Sequence, residues 1–217
     1  MDCLHNLEEG LGSFDVLLGV DPGVKNLGLF LLIPGIGYVC DTVDVAYKID
    51  CGKNVSQNMQ DPVKCATYIS GLDRGSDVIE VMALVMEMNQ EHENRCAIEI
   101  VQEGPTNYLA AAFSLVAQQH YFECESVQST SAKSNVCIPM RGHAGNKLAA
   151  KATVTRRFGL DVDDDHQADA ALCILAAFQP RLRRIRIPGA RPGTTKYADE
   201  DIDTYTARIH RWLNARS

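Results

Sequence analysis

Residues 16–33 constrain the fold of this chain more than any other segment. Two apolar runs, Val16-Leu-Leu-Gly-Val20 and Leu27-Gly-Leu-Phe-Leu-Leu-Ile33, flank a connection that begins Asp21-Pro-Gly23. Apolar runs of this length separated by Pro and Gly read as strand, tight turn, strand. Asp21 falls at the end of the first strand. A carboxylate there suits a core poorly and a cation well. Gly23 allows turn geometry closed to other residues, and Gly28 lets another backbone or a phosphate approach the second strand.

The rest of the chain alternates. A third strand is expected over 38–46, after the turn Pro34-Gly-Ile-Gly37, and a polar loop over 48–60. Asp61-Pro62 has the form of a helix start, with Asp as cap and Pro in the first turn. Over 76–92, Val78, Ile79, Val81, Met82, Leu84, Val85, Met86 and Met88 recur near helical spacing, which reads as core packing. A strand follows over 96–101, a helix over 106–122, a strand over 125–128 and a polar loop over 129–145. A basic helix over 146–158, a helix over 165–178, a basic Pro- and Gly-rich stretch over 180–197 and a last helix over 199–213 complete the order. Three strands followed by alternating helices and strands predict an α/β fold with a mixed five-stranded sheet, its first three strands an antiparallel meander. With 217 residues, 46% of them hydrophobic, one domain is expected over 15–180. An extension over 1–14 precedes it, and a basic tail with a terminal helix over 181–217 follows.

The net charge of −7 argues against a polyanionic partner until its distribution is examined. Residues 1–140 hold 7 Lys and Arg against 19 Asp and Glu, whereas 141–196 hold 11 against 5. A local basic surface binds a polyanion even on an acidic chain. Charge alone fits a merely solvated basic surface equally well. The eight cysteines form no Cys-x-x-Cys pair and match neither a zinc site nor a disulfide framework. The first fifteen residues lack the pattern of a signal peptide, and no apolar run reaches the ~20 residues of a membrane span. The chain therefore reads as intracellular, in a reducing compartment.

Four positions interrupt apolar patterns with acid or imidazole: Asp21, Glu99, His166 and Asp169. His166 and Asp169 lie three apart at a helix start, on one face. Each has a plain alternative. Asp21 suits a simple turn, Glu99 a pairing with a lysine at a sheet edge, the acids at 163–165 a helix cap, and His166 an ordinary first-turn position. Glu103, on the same strand face by alternation, rivals Glu99. Taken together, carboxylates converging from two strands and a helix repel one another unless cations neutralise them. One or two Mg²⁺ ions, with Mn²⁺ as substitute, meet that need through oxygen ligands. Two such ions roughly 3.5–4 Å apart serve phosphodiester cleavage.

These residues resemble a family. Gly19-Val-Asp-Pro-Gly-Val-Lys-Asn-Leu-Gly28 is similar to the first-strand motif of RuvC-type Holliday junction resolvases. Ala97-Ile-Glu99 resembles their second acidic strand, and His166-Gln-Ala-Asp-Ala-Ala-Leu172 their C-terminal helix motif. The likeness spans roughly residues 15–179 and extends to the poxvirus-type viral, mitochondrial and bacterial branches. It implies a ribonuclease H-like three-layer fold with helices on both sheet faces. It also implies a homodimeric, Mg²⁺-dependent endonuclease that nicks four-way DNA junctions in symmetric pairs, in the cytoplasm or nucleus of an infected cell if viral. Asp21, Glu99 and Asp169 would ligate metal, and His166 would ligate it or orient water, with Asp165 as substitute. Lys133 would lie near the scissile phosphate, or else be a solvated loop lysine. Lys147, Lys151, Arg156 and Arg157, extended by Arg181, Arg183, Arg184 and Arg186, would grip phosphates. The helix over 76–92 or that over 106–122 would form the dimer face. A related nuclease for flaps or RNA–DNA hybrids, and a catalytically silent DNA-binding scaffold, are the competing readings.

Overall fold

The computed structural model describes residues 16–23, 26–33, 35–44, 94–100, 106–119, 122–135, 142–178 and 202–214. The strands are β1 (Val16–Pro22), β2 (Asn26–Ile33), β3 (Gly37–Asp44), β4 (Asn94–Ile100) and β5 (Phe122–Gln128). The helices are α1 (Thr106–Gln119), α2 (Ser129–Asn135), α3 (Gly142–Phe158), α4 (Asp165–Ala177) and α5 (Ile202–Asn214). The strands lie side by side as β3-β2-β1-β4-β5. β1, β2 and β3 are antiparallel neighbours, whereas β4 runs parallel to β1 and β5 parallel to β4. This is the ribonuclease H-like α/β arrangement expected from the sequence. Among the described residues, no helix is long and apolar enough to cross a membrane.

The two-residue strand period sorts side chains between two cores. Val16, Leu18 and Val20 of β1, with Leu29 and Leu31 of β2 and Cys96 and Ile98 of β4, pack against Leu109 and Phe113 of α1. The alternate residues, Leu17, Phe30, Leu32 and Ala97, pack against α4, with α2, α3 and α5 beside it. Gly19, Asp21, Gly28 and Glu99 belong to this second face by alternation. Helix α4 is buried nearly all round, from Gln167 to Ala176, because the sheet, α2 and α3 enclose it.

Two glycines set how close α4 comes. A Cβ at Gly19 would lie 2.1 Å from the Ala170 carbonyl oxygen, and one at Gly28 would lie 2.3 Å from that of His166. Both obstacles are helix backbone, which cannot swing aside. Asp21 pairs with Gly28 across β1 and β2, so the same glycine that admits the first turn of α4 sits beside the first-strand carboxylate. At the other end of the sheet, α5 seals the core with Tyr205, Ile209 and Leu213. The Leu213 carbonyl accepts from the Gly35 amide at 2.6 Å, which ties this helix to the β2–β3 turn. The last helix is thus a brace for the core.

The structure departs from the sequence pattern most in two places. The segment 129–145, expected as a loop, holds α2 and the start of α3, which begins at Gly142 rather than 146. Ser-rich α2 has weak intrinsic preference for helix, but burial of Ala132 and Lys133 against α4 overrides it. Strand β5 begins at Phe122 rather than 125, and α1 stops at Gln119. As an edge strand, β5 exposes Glu123 and Glu125, which masks its period. The helices expected from Asp61 and over 76–92, the loop over 48–60, Glu103, and the segments 1–14 and 180–197 lie outside the described residues.

Gly28→Ala is expected to lower the unfolding free energy by about 1–3 kcal/mol, the usual cost of overpacking. Urea titration reads this directly, and an unchanged midpoint would refute the close seating of α4.

Candidate metal centre

Strand register brings the first two acids together. Val20 pairs with Ile98 across the parallel strands β1 and β4, so Asp21 and Glu99 stand side by side one residue further on. Helix α4 adds Asp169 from above. Asp21, Glu99 and Asp169 each offer a carboxylate oxygen, and the three oxygens lie within 4.8 Å of one another. The cluster sits at the carboxyl ends of β1 and β4, where the chain order across the sheet reverses and ligands commonly bind in α/β sheets.

Glu99 and Asp169 are each 8% exposed. Burial, reinforced by the neighbouring Asp21 and Asp169, pushes the Glu99 carboxyl up to about 9. Burial also raises Asp169, with Asp21 adding to it, against the lowering effect of Lys133. The three acids therefore do not all ionise at neutral pH without added positive charge. One atom is left conspicuously unserved: Asp169 Oδ1 is buried and has no hydrogen-bond partner among the described residues. An orphaned buried oxygen beside two other carboxylates is what a hard divalent cation requires. The cluster fits a divalent cation on that ground.

The remaining site residues are arranged around this triad. Lys133 Nζ donates to Asp169 Oδ2 at 3.1 Å and to Ser129 Oγ at 3.3 Å. Burial opposes its charge, but Asp169, Glu99 and Asp21 together raise its pKa. It is a buried partner of the triad, and the solvated-loop alternative does not describe it. His166 Nδ1 donates to Asp21 Oδ2 at 2.8 Å, and Asn26 Nδ2 donates to His166 Nε2 at 3.3 Å. Both ring nitrogens are engaged, so His166 stands behind Asp21 and outside the group of converging oxygens. The hydrogen bond from His166 to Asp21 raises the imidazole pKa.

The start of α4 is itself heavily bonded. Asp164 caps it, accepting from the amides of His166 and Gln167 at 2.9 and 3.0 Å. Asp165 binds Lys147 of α3, and the Asp163 carbonyl accepts from Lys151. Asp165 thus faces Lys147 and does not join the triad. Of the four basic residues expected on α3, Lys147 and Lys151 are half-buried against α4, Arg157 is half-buried and Arg156 is exposed. Arg181, Arg183, Arg184 and Arg186 lie outside the described residues. Sequence reasoning passed over Asn26 and Ser129. Asn26 gave a weak signal, a polar residue opening an apolar strand after a turn that had already supplied its glycine.

No protein-family model and no curated protein matches the sequence. The structure is similar to that of Thermus thermophilus RuvC, with TM-score 0.49 and 14% identity over 74% of this chain and 92% of that one. It is similar to T. thermophilus RuvC in complex with Holliday junction substrate, with TM-score 0.45 and 13% identity over 74% and 90% of the two chains. It is also similar to the yeast mitochondrial Holliday junction resolvase, with TM-score 0.43 and 12% identity over 98% and 88%.

The raised Glu99 carboxyl gives a signed prediction. In the metal-free protein such a group weakens folding as pH climbs from its unfolded value of 4.5 towards about 9, because the folded state resists its ionisation. Mg²⁺ must displace that proton, so its stabilising effect grows over the same window. Melting temperatures with and without Mg²⁺ at pH 6, 7 and 8 should show a widening gap, and a constant gap would contradict the protonated cluster.

Proposed function

We propose that this chain is a divalent-cation-dependent endonuclease that cuts branched DNA, resolving four-way junctions as a homodimer by paired symmetric nicks. The observation that carries this reading is the convergence of Asp21, Glu99 and Asp169 within 4.8 Å from three separate elements, with Asp169 Oδ1 buried and unserved. The order and wording of the three sequence motifs support the junction as substrate. Asp21, Glu99 and Asp169 would hold the cation, which supplies Lewis acidity towards a phosphodiester when bound.

The chain's own residues supply the rest. His166 fixes the orientation of Asp21 through its Nδ1 proton, and Asn26 fixes His166. Lys133 fixes Asp169. Helix α3 packs on α4, and the positive charge of its Lys147 and Lys151 braces the start of α4 through Asp165 and the Asp163 carbonyl. Exposed Arg156 extends that charge towards solvent, where phosphates bind without regard to base sequence. Paired cutting needs two centres at a fixed separation, which a two-fold dimer provides. Helix α1 carries Leu115 at 53% exposure and is the described candidate for that contact.

Cleavage of a labelled four-way junction in Mg²⁺, beside a linear duplex, a flap and an RNA–DNA hybrid, tests the proposal. Paired nicks confined to the junction are expected. Asp21→Asn should abolish them and leave junction binding intact or tighter, since it removes a ligand and one negative charge. Cutting of the flap or hybrid instead would move the function to another nuclease. Binding without any cutting would make the chain a scaffold.

A further inference from the structure

A centre with two ions roughly 3.5–4 Å apart needs ligand atoms for both. The triad supplies one such set of oxygens. Of the two Asp169 oxygens, Oδ2 already accepts from Lys133 Nζ at 3.1 Å, so Oδ1 is the one left to a cation. That ammonium is anchored a second time, on Ser129 Oγ at 3.3 Å. Lys133 and Asp169 side chains are 11% and 10% exposed, so water does little to screen the pair. His166, which would be the second ion's other ligand, has Nδ1 on Asp21 and Nε2 facing the Asn26 amide.

Charge agrees with this geometry. The three carboxylates in their ionised form carry three negative charges, of which Lys133 offsets one and a single divalent cation offsets the other two. A second divalent ion would leave the buried cluster with excess positive charge, which low-dielectric surroundings penalise.

We infer that the centre takes one divalent cation per chain, with the Lys133 ammonium as counter-charge in place of a second ion. The inference rests on the metal-site reading above and narrows it. Lys133 acts here on the carboxylates, as a fixed monovalent counter-charge that leaves Asp169 Oδ1 as the oxygen offered to the metal.

Titration of the full chain with Mn²⁺, following free Mn²⁺ by electron paramagnetic resonance, reads the stoichiometry. The wild type should bind one ion per chain, and Asp21→Asn should weaken that binding at least tenfold. Lys133→Met removes the charge while keeping an unbranched chain, and should raise the stoichiometry from one to two. Lys133→Arg keeps the charge and should stay at one. Should Lys133→Met fail to fold, the wild-type stoichiometry and Lys133→Arg still decide: two ions in either overturns the inference. One ion in folded Lys133→Met also overturns it, while leaving the metal-site reading standing. Absence of saturable Mn²⁺ binding in the wild type would overturn both.

Discussion

Everything at the centre depends on how closely helix α4 lies on strands β1 and β2. The helix backbone comes within reach of where Cβ atoms of Gly19 and Gly28 would be, and no other residue type tolerates that approach. Alanines on α4 complete the fit, with Ala168, Ala170 and Ala171 all buried. Because the helix is seated at backbone distance, its first turn cannot slide along the sheet. His166 therefore reaches Asp21, and Asp169 meets Glu99 and Lys133. The carboxylate geometry is inherited from packing, so the residues that shape the centre most include two with no side chain.

The price of this arrangement is electrostatic. Strand register sets Asp21 beside Glu99, and α4 lowers a buried Asp169 onto them. Burial first, and then the neighbouring carboxylates, resist ionisation and push the Glu99 carboxyl up. Lys133 relieves part of this resistance from α2, whose packing against α4 puts the ammonium on Asp169. At the other end of the same turn, Asp164 caps α4 while Lys147 and Lys151 bind Asp165 and the Asp163 carbonyl. Positive charge from α3 thus holds the start of α4 in place.

The central sheet and the triad were legible in the sequence for one reason. Apolar periodicity makes an intruding acid conspicuous, and Asp21, Glu99 and Asp169 each intrude. The alternation that identifies the strands also puts Asp21 and Glu99 on one face. What stayed hidden depends on partners far along the chain. Helix α2 is stabilised by contacts to α4, and Lys133 finds Asp169 across 36 residues. Asn26 meets His166 across 140 residues, a contact that a turn asparagine does not announce. Strand β5 hides its first residues because an edge strand with exposed Glu123 and Glu125 lacks an apolar period. The sequence shows the lysines of α3 as members of a basic helix, but their bonds to Asp165 and the Asp163 carbonyl arise only in the fold.

Anomalous diffraction from crystals of the full chain equilibrated with Mn²⁺ tests the central claim most directly. The account predicts a peak bounded by carboxylate oxygens of Asp21, Glu99 and Asp169, with Asp169 Oδ1 among its ligands and Lys133 still on Oδ2. A peak elsewhere, such as on the acids that open α4, or none at saturating Mn²⁺, would contradict it.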